Sequence, residues 1–92
     1  MKKMLFERQS EGFDLKYFMT EQEMISEEGT ENIYGIIVEM FEEGLLKERE
    51  DTGFITRDLA YIESLIETLA NNTTPPSAVS EIVDEILDCS RV

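Results

Sequence analysis

The fold is decided at residues 33–41, which read IYGIIVEMF. Apolar side chains occupy both alternating sets of positions in this stretch, and β-branched residues are frequent. A strand that is covered on both faces has this pattern, because neither of its faces needs to be polar. We therefore predict that residues 33–41 form the central strand of a sheet.

The segments on either side predict further strands. One face of an extended strand is indicated by apolar residues at every second position, namely Phe13, Leu15, Tyr17 and Met19. Residues 3–8 are a suitable hairpin partner for that strand. Residues 42–44 supply turn residues, and residues 45–50 can return antiparallel before Asp51-Thr52-Gly53 breaks the strand. The prediction is an antiparallel meander of three or four strands.

Residues 20–31 interrupt this pattern. The segment is acidic, and its apolar residues are Met24 and Ile25 alone. Without a repeating apolar face, nothing in the segment favours a half-buried strand. We predict a loop or a short irregular element here.

The second half of the chain predicts two amphipathic helices. The first has Thr56 as its predicted N-cap, Asp58 in its first turn, and an apolar stripe at Leu59, Ile62, Leu65, Ile66 and Leu69. The second begins after Pro75, where proline is tolerated at the first helical position, and its stripe is Val79, Ile82, Val83, Ile86 and Leu87. The predicted fold class is α+β, with both helices packed on one face of the sheet.

Length and composition indicate one folded domain over residues 1–92, with a strand-rich half at 1–53 and a two-helix half at 54–91. A hydrophobic content of 41% is too high for a disordered chain. A single cysteine cannot form an intramolecular disulfide, and no apolar run is long enough for a signal peptide or a membrane span. We therefore expect a cytoplasmic protein that does not enter a membrane.

Charge is the most informative property of the sequence. The chain has 21 Asp or Glu residues, eight Lys or Arg residues and no His, for a net charge of -13. Such a chain is steered towards basic surfaces, and direct nucleic-acid binding is disfavoured because that requires Lys and Arg to neutralise phosphates. Spread evenly over about 5,500 Å², 13 charges are roughly fourfold more dilute than on duplex DNA, so a nucleic-acid mimic would have to cluster its carboxylates.

The second helix contains the sharpest cluster of this kind. Glu81, Asp84, Glu85 and Asp88 fall within about 100° of arc opposite the apolar stripe, with no Lys between residues 76 and 90. Glu63 and Glu67 form a shorter row on the first helix. These six residues are the candidate partner-binding residues, although a solvated helix face has the same pattern.

The residue types present exclude most enzyme and metal chemistry. Nucleophilic triads need an imidazole base, and zinc sites need His or several Cys. The glycines are scattered singly and form no phosphate-binding loop, and no calcium-loop motif is present. We predict no catalytic residue, no cofactor and no dedicated metal site. A third, weaker hypothesis is an enzyme that uses two carboxylates in a cleft.

Three short motifs carry a family resemblance. They are Tyr34-Gly35-Ile36 on a strand, Ile55-Thr56-Arg57-Asp58 at a helix start, and Pro75-Pro76 followed by Val79, Ile82, Val83 and Asp84. Over most of residues 13–88 the chain is similar to a family of small bacterial proteins, mainly Gram-positive, known only as a domain of unknown function. The resemblance implies a small sheet followed by two helices, and it implies no activity and no site residues.

These observations lead to two main hypotheses on function. The first is a non-enzymatic acidic inhibitor or decoy that occupies a basic, nucleic-acid-binding surface of a partner protein, as a DNA mimic of the anti-nuclease or anti-CRISPR kind. The alternative is a small regulatory or structural module that acts through apolar surface as a homodimer. Its basis is the two-sided apolar strand together with Phe18, Phe54, Met24 and Ile25.

Overall fold

A computed structural model describes residues 1–89, with side chains for residues 1–86. Its strands are β1 (Lys2–Ser10), β2 (Phe13–Ser26), β3 (Gly29–Glu42) and β4 (Leu45–Thr56), and its helices are α1 (Leu59–Asn71) and α2 (Pro76–Cys89). The four strands form one antiparallel sheet in the order β1-β2-β3-β4. This architecture confirms the predicted α+β meander followed by two helices.

The prediction of a loop at residues 20–31 is wrong. β2 continues to Ser26, β3 starts at Gly29, and the two remain paired in register from Phe13↔Glu42 to Ser26↔Gly29. Only Glu27 and Glu28 lie between them. The far end of this hairpin extends beyond its neighbours, since Met1 pairs with Glu21 on one side and Thr56 with Tyr34 on the other. We call residues 21–33 the arm.

The interruption expected at Asp51-Thr52-Gly53 is a β-bulge and not the end of the strand. The register shifts between Gly35 and Ile37, and β4 then continues to Thr56, past the predicted start of the helical half at residue 54. The Thr52 hydroxyl lies 3.1 Å from the amide of Ile36 and 3.3 Å from its carbonyl oxygen, and so replaces part of the backbone ladder.

Gly35 is required at this bulge for steric reasons. A Cβ atom at residue 35 would overlap the Gly53 carbonyl oxygen and would lie 2.8 Å from the Thr20 hydroxyl oxygen. Gly53 itself has φ = 72°, which places the bulge in the conformation that glycine adopts most easily.

The helices cover one face of the sheet. The predicted N-cap at Thr56 is wrong, because the Asp58 side chain accepts the hydrogen bond from the Tyr61 amide at 3.1 Å. Thr56 instead accepts from the Asp58 amide. Pro76 occupies the first position of α2, as predicted.

A single core lies between the sheet and the two helices. Its buried residues are Leu15, Tyr17, Met19, Tyr34, Ile36, Val38, Ile62, Leu65, Ile66, Leu69, Ala70, Val79 and Val83. The strand members alternate, which places all of them on the face of β2 and β3 beneath the helices. Ile82 and Ile86 pack at its margin, whereas the side chain of Leu87 lies outside the described residues.

A buried side-chain hydrogen bond links the sheet to the connection between the helices. The Tyr17 hydroxyl is fully buried and donates to the Thr74 carbonyl oxygen at 2.9 Å. Burial raises the pKa of Tyr17 to about 12, and the positive charge of Arg8 opposes this shift. The phenol is therefore a structural group held in its neutral form.

Candidate functional site

The two helices carry negative charge alone. Residues 58–89 contain no Lys or Arg, and their seven acids are Asp58, Glu63, Glu67, Glu81, Asp84, Glu85 and Asp88. Asp58 serves as the N-cap of α1. The other six are the predicted partner-binding residues, and the side chain of Asp88 lies outside the described residues.

The five described candidates are all exposed on the helix layer. Glu63 and Glu67 lie on α1, opposite its buried residues Ile62, Leu65, Ile66 and Leu69. Glu81, Asp84 and Glu85 lie on α2, opposite the buried Val79 and Val83. Both helices pack on the same side of the sheet, so the structure brings the two rows to one side of the molecule. We call these five residues the acidic helix face.

Among residues with described side chains, no ion pair within 4.0 Å involves the acidic helix face. Glu50 of β4 lies beneath this layer, where its carboxylate accepts a hydrogen bond from Ser80 at 3.1 Å. The acidic helix face is consequently a solvent-facing surface, and no described cation lies within ion-pair distance of its carboxylates.

Several of the chain's cations lie on the opposite side of the sheet, where they are paired. Lys2 and Arg49 approach the same carboxylate of Glu39, at 3.2 and 3.6 Å respectively. Arg49 also lies 3.8 Å from Asp51. Lys16 lies 3.9 Å from Glu7. The open side of the sheet therefore has paired charges, whereas the described carboxylates of the helix layer have no ion pair within 4.0 Å. The helix side of the sheet also carries two cations, Lys3 and Arg8 of β1.

We call the side of the sheet without helices the open face. The strand register places on it the apolar residues Met4, Phe18, Ile37, Phe41, Leu46 and Phe54. Lys2 lies 4.2 Å from the centre of the Phe18 ring, and Lys16 lies 4.8 Å from that of Phe41. Between these groups Ile37 is only 4% exposed although no helix covers it. The middle of β3 is therefore buried on both faces, as predicted. The helices cover one face, and neighbouring side chains of the sheet cover Ile37 on the other.

The arm is a second acidic region. It contains Glu21, Glu23, Glu27, Glu28 and Glu31 and no Lys or Arg. Arg57, just beyond β4, pairs with Glu31 at 3.1 Å. The arm also exposes Met24 and Ile25, the latter at 85%. The sequence does not indicate that the arm is a pair of strands, because residues 22–32 are exposed on both faces and have no apolar period.

Two cavities of the described region lie at opposite ends of the sheet. One of about 400 Å³ lies between the arm and Arg57, and is lined by Met24, Ile25, Ser26, Glu27, Glu28, Glu31 and Arg57. Another of about 300 Å³ lies near Phe13 and Pro75 at the other end of the sheet. Within the described residues, no three His, Cys, Asp or Glu side chains are arranged to hold a metal ion. None of the helices in that part is long and apolar enough to span a membrane.

Comparisons with known proteins place the chain in a family. Residues 1–89 match the model of a family of unknown function, DUF6514. No curated protein and no solved structure matches the chain. The match extends over both the sheet and the helices, so it covers the acidic helix face and the open face together. The chain therefore belongs to the DUF6514 family, a family of unknown function.

Proposed function

We propose that the protein is a non-enzymatic acidic binding protein that occupies a basic, nucleic-acid-binding surface of a partner protein. The observation that carries this proposal is the segregation of charge. The helix layer has seven acids and no cation, whereas Lys2, Lys16 and Arg49 are paired on the opposite side of the sheet. A reducing cytoplasm is the compartment that we propose, in keeping with a single cysteine.

The local density of charge supports mimicry of a nucleic acid. The two helices have 13 and 14 residues, and each is about 20 Å long and about 10 Å wide. Together they cover an area of roughly 400 Å² on the sheet. The five residues of the acidic helix face then give about one charge per 80 Å². Duplex DNA presents about one charge per 110 Å² of its outer cylinder. The acids are therefore dense enough on this layer, although they would be too dilute if they were spread evenly.

The electrostatic field of the acidic helix face mainly affects the rate of association with a partner. A partner groove that binds phosphates through Lys and Arg is attracted to the acidic helix face over roughly 10 Å at 0.1 M salt. Electrostatic attraction of this kind raises the association rate and weakens as ionic strength rises. We expect duplex DNA to compete with the protein for the same groove.

Two triple variants with the same net charge test whether the location of the acids matters. Glu81→Gln, Asp84→Asn and Glu85→Gln neutralise three acids of α2. The control changes Glu11, Glu42 and Glu43, which are exposed at the turns of the sheet, to Gln. Each triple variant changes the net charge from -13 to -10.

Binding to a panel of basic nucleic-acid-binding proteins would be measured by calorimetry at several salt concentrations. Exposed charge pairs contribute about 0.2–1 kcal/mol each, so the α2 triple should bind roughly three- to hundredfold more weakly and the control much less so. Equal losses in both triples would mean that net charge alone, and not this surface, controls binding. Absence of binding to every panel member at low salt would refute the proposal.

A further inference from the structure

We propose that the open face of the sheet is a self-association surface, covered in solution by the open face of a second copy of this chain. This surface is separate from the acidic helix face, so the inference goes beyond the proposed function and does not depend on it.

The open face has apolar groups that the fold leaves accessible. Met4 is 48% exposed, Leu46 is 50% exposed and Phe54 is 43% exposed, although all three lie on paired strands. Met4, Phe18 and Ile37 lie side by side on β1, β2 and β3, and Phe54 lies beyond them towards the arm. A row of charged residues that crosses the sheet separates this patch from a smaller one at Phe41 and Leu46, namely Glu7, Lys16, Glu39 and Arg49. Exposed apolar patches that are bordered by charged residues are typical of interaction sites.

Charge determines which occupant the open face can accept. Outside the arm, its paired positions hold three cations, Lys2, Lys16 and Arg49, and four acids, Glu7, Asp14, Glu39 and Asp51. The open face is therefore close to neutral, whereas the chain as a whole carries -13, so nearly all of the excess negative charge lies on the other surfaces. A basic partner would therefore be drawn to those other surfaces and not to the open face.

A second copy of this acidic chain would bind the open face in preference to the acidic surfaces. In a two-fold symmetric contact each surface meets itself, so the acidic helix face or the arm would oppose like charges. The open face alternates charges of both signs, and a two-fold rotation can set Lys or Arg of one copy against Glu or Asp of the other. The open face is thus the near-neutral surface on which two such acidic chains can meet.

The area is sufficient for a weak dimer. The open face spans four strands that are about 4.8 Å apart and about nine residues long, at about 3.3 Å per residue. Its area is therefore roughly 570 Å² per copy. Stable interfaces bury about 800 Å² per partner, and weak or transient ones less than about 600 Å². We expect association in the micromolar to millimolar range, strengthened by salt that screens repulsion between the acidic chains.

Neighbouring leucines provide a matched pair of variants. Leu45 and Leu46 are both exposed on β4, at 64% and 50%, and each pairs with a residue of β3. Because they alternate, Leu46 lies on the open face and Leu45 on the other. Leu46→Glu and Leu45→Glu add the same charge to opposite faces. Phe54→Glu is a second open-face variant, in case one substitution disturbs the fold.

Sedimentation equilibrium between roughly 10 µM and 1 mM, at low and high salt, distinguishes the 10.6 kDa monomer from a dimer of twice that mass. We expect a dimer whose dissociation constant rises at least about tenfold in Leu46→Glu and Phe54→Glu, and less than about threefold in Leu45→Glu. A monomer under all conditions overturns the inference, whether the open face is bare or binds another protein. A dimer weakened equally by Leu45→Glu and Leu46→Glu also overturns it.

Discussion

Alkaline unfolding should depend on Tyr17. The hydroxyl is buried and donates to the Thr74 carbonyl oxygen, and burial raises the pKa of Tyr17 from 10.0 to about 12. Between these two values the unfolded chain loses the phenolic proton while the folded chain keeps it. The contribution of Tyr17 to stability is therefore complete below pH 10 and is lost progressively as the pH rises towards 12.

The size of the effect follows from the shift. Each pKa unit corresponds to about 1.4 kcal/mol, so this one phenol should cost the protein about 2–3 kcal/mol over that pH range. Small domains have a free energy of unfolding of about 5–15 kcal/mol, so the loss is readily measured.

Tyr17→Phe is the control that isolates this group from the other groups that titrate at alkaline pH. Near pH 8 the variant should be less stable than the original protein by about 1 kcal/mol or somewhat more, because the Thr74 carbonyl loses its buried donor. By pH 12 the order should reverse, since phenylalanine has no proton to lose. The assay is urea unfolding of both proteins at pH 8, 10, 11 and 12. A stability difference that stays constant over this range would refute the reasoning.

Three further predictions concern the fold and its charge. Gly35→Ala should cost about 1–3 kcal/mol in urea unfolding, because the new methyl group meets the Gly53 carbonyl oxygen; a neutral result would contradict the close approach. Asp58→Ala should cost about 1 kcal/mol by removing the acceptor of the Tyr61 amide, and Asp58→Asn should recover most of it. Raising NaCl from about 0.05 to 0.5 M should increase the melting temperature by screening repulsion within the helix layer, and a decrease would count against that repulsion.

The strands and helices that border the core could be predicted from the sequence. Leu15, Tyr17 and Met19 alternate because one face of β2 is buried under the helices, and the stripes of α1 and α2 are present for the same reason. An element with one buried face therefore has a periodic pattern of apolar residues that can be recognised in the sequence.

The arm could not be predicted for the converse reason. Residues 22–32 are exposed on both faces, so the segment has no apolar period, and its two strands are joined by backbone pairing without a buried core. The error at the start of α1 has a local cause. Thr56 and Asp58 are both common N-caps, and only the geometry shows that Asp58 accepts from Tyr61 while Thr56 accepts from Asp58.

The candidate site was predictable in part. Helical spacing correctly placed Glu81, Asp84 and Glu85 opposite the apolar stripe, so their exposure follows from the sequence. The segregation of charge between the two sides of the sheet was not predictable, since it depends on strand register. The pairing of Lys2 with Glu39, for example, joins residues on β1 and β3 that are separated by β2.

The order of the strands has a consequence for how this chain folds during synthesis. Each strand pairs only with its neighbours along the chain, and the β1–β2, β2–β3 and β3–β4 turns contain two residues each. Such short closures cost little entropy, so the sheet can assemble hairpin by hairpin as it leaves the ribosome. The helices that cover Leu15 and Tyr17 are translated after all four strands. Until then the apolar face of the nascent sheet is exposed to solvent, and this interval is when the polypeptide is most prone to aggregate.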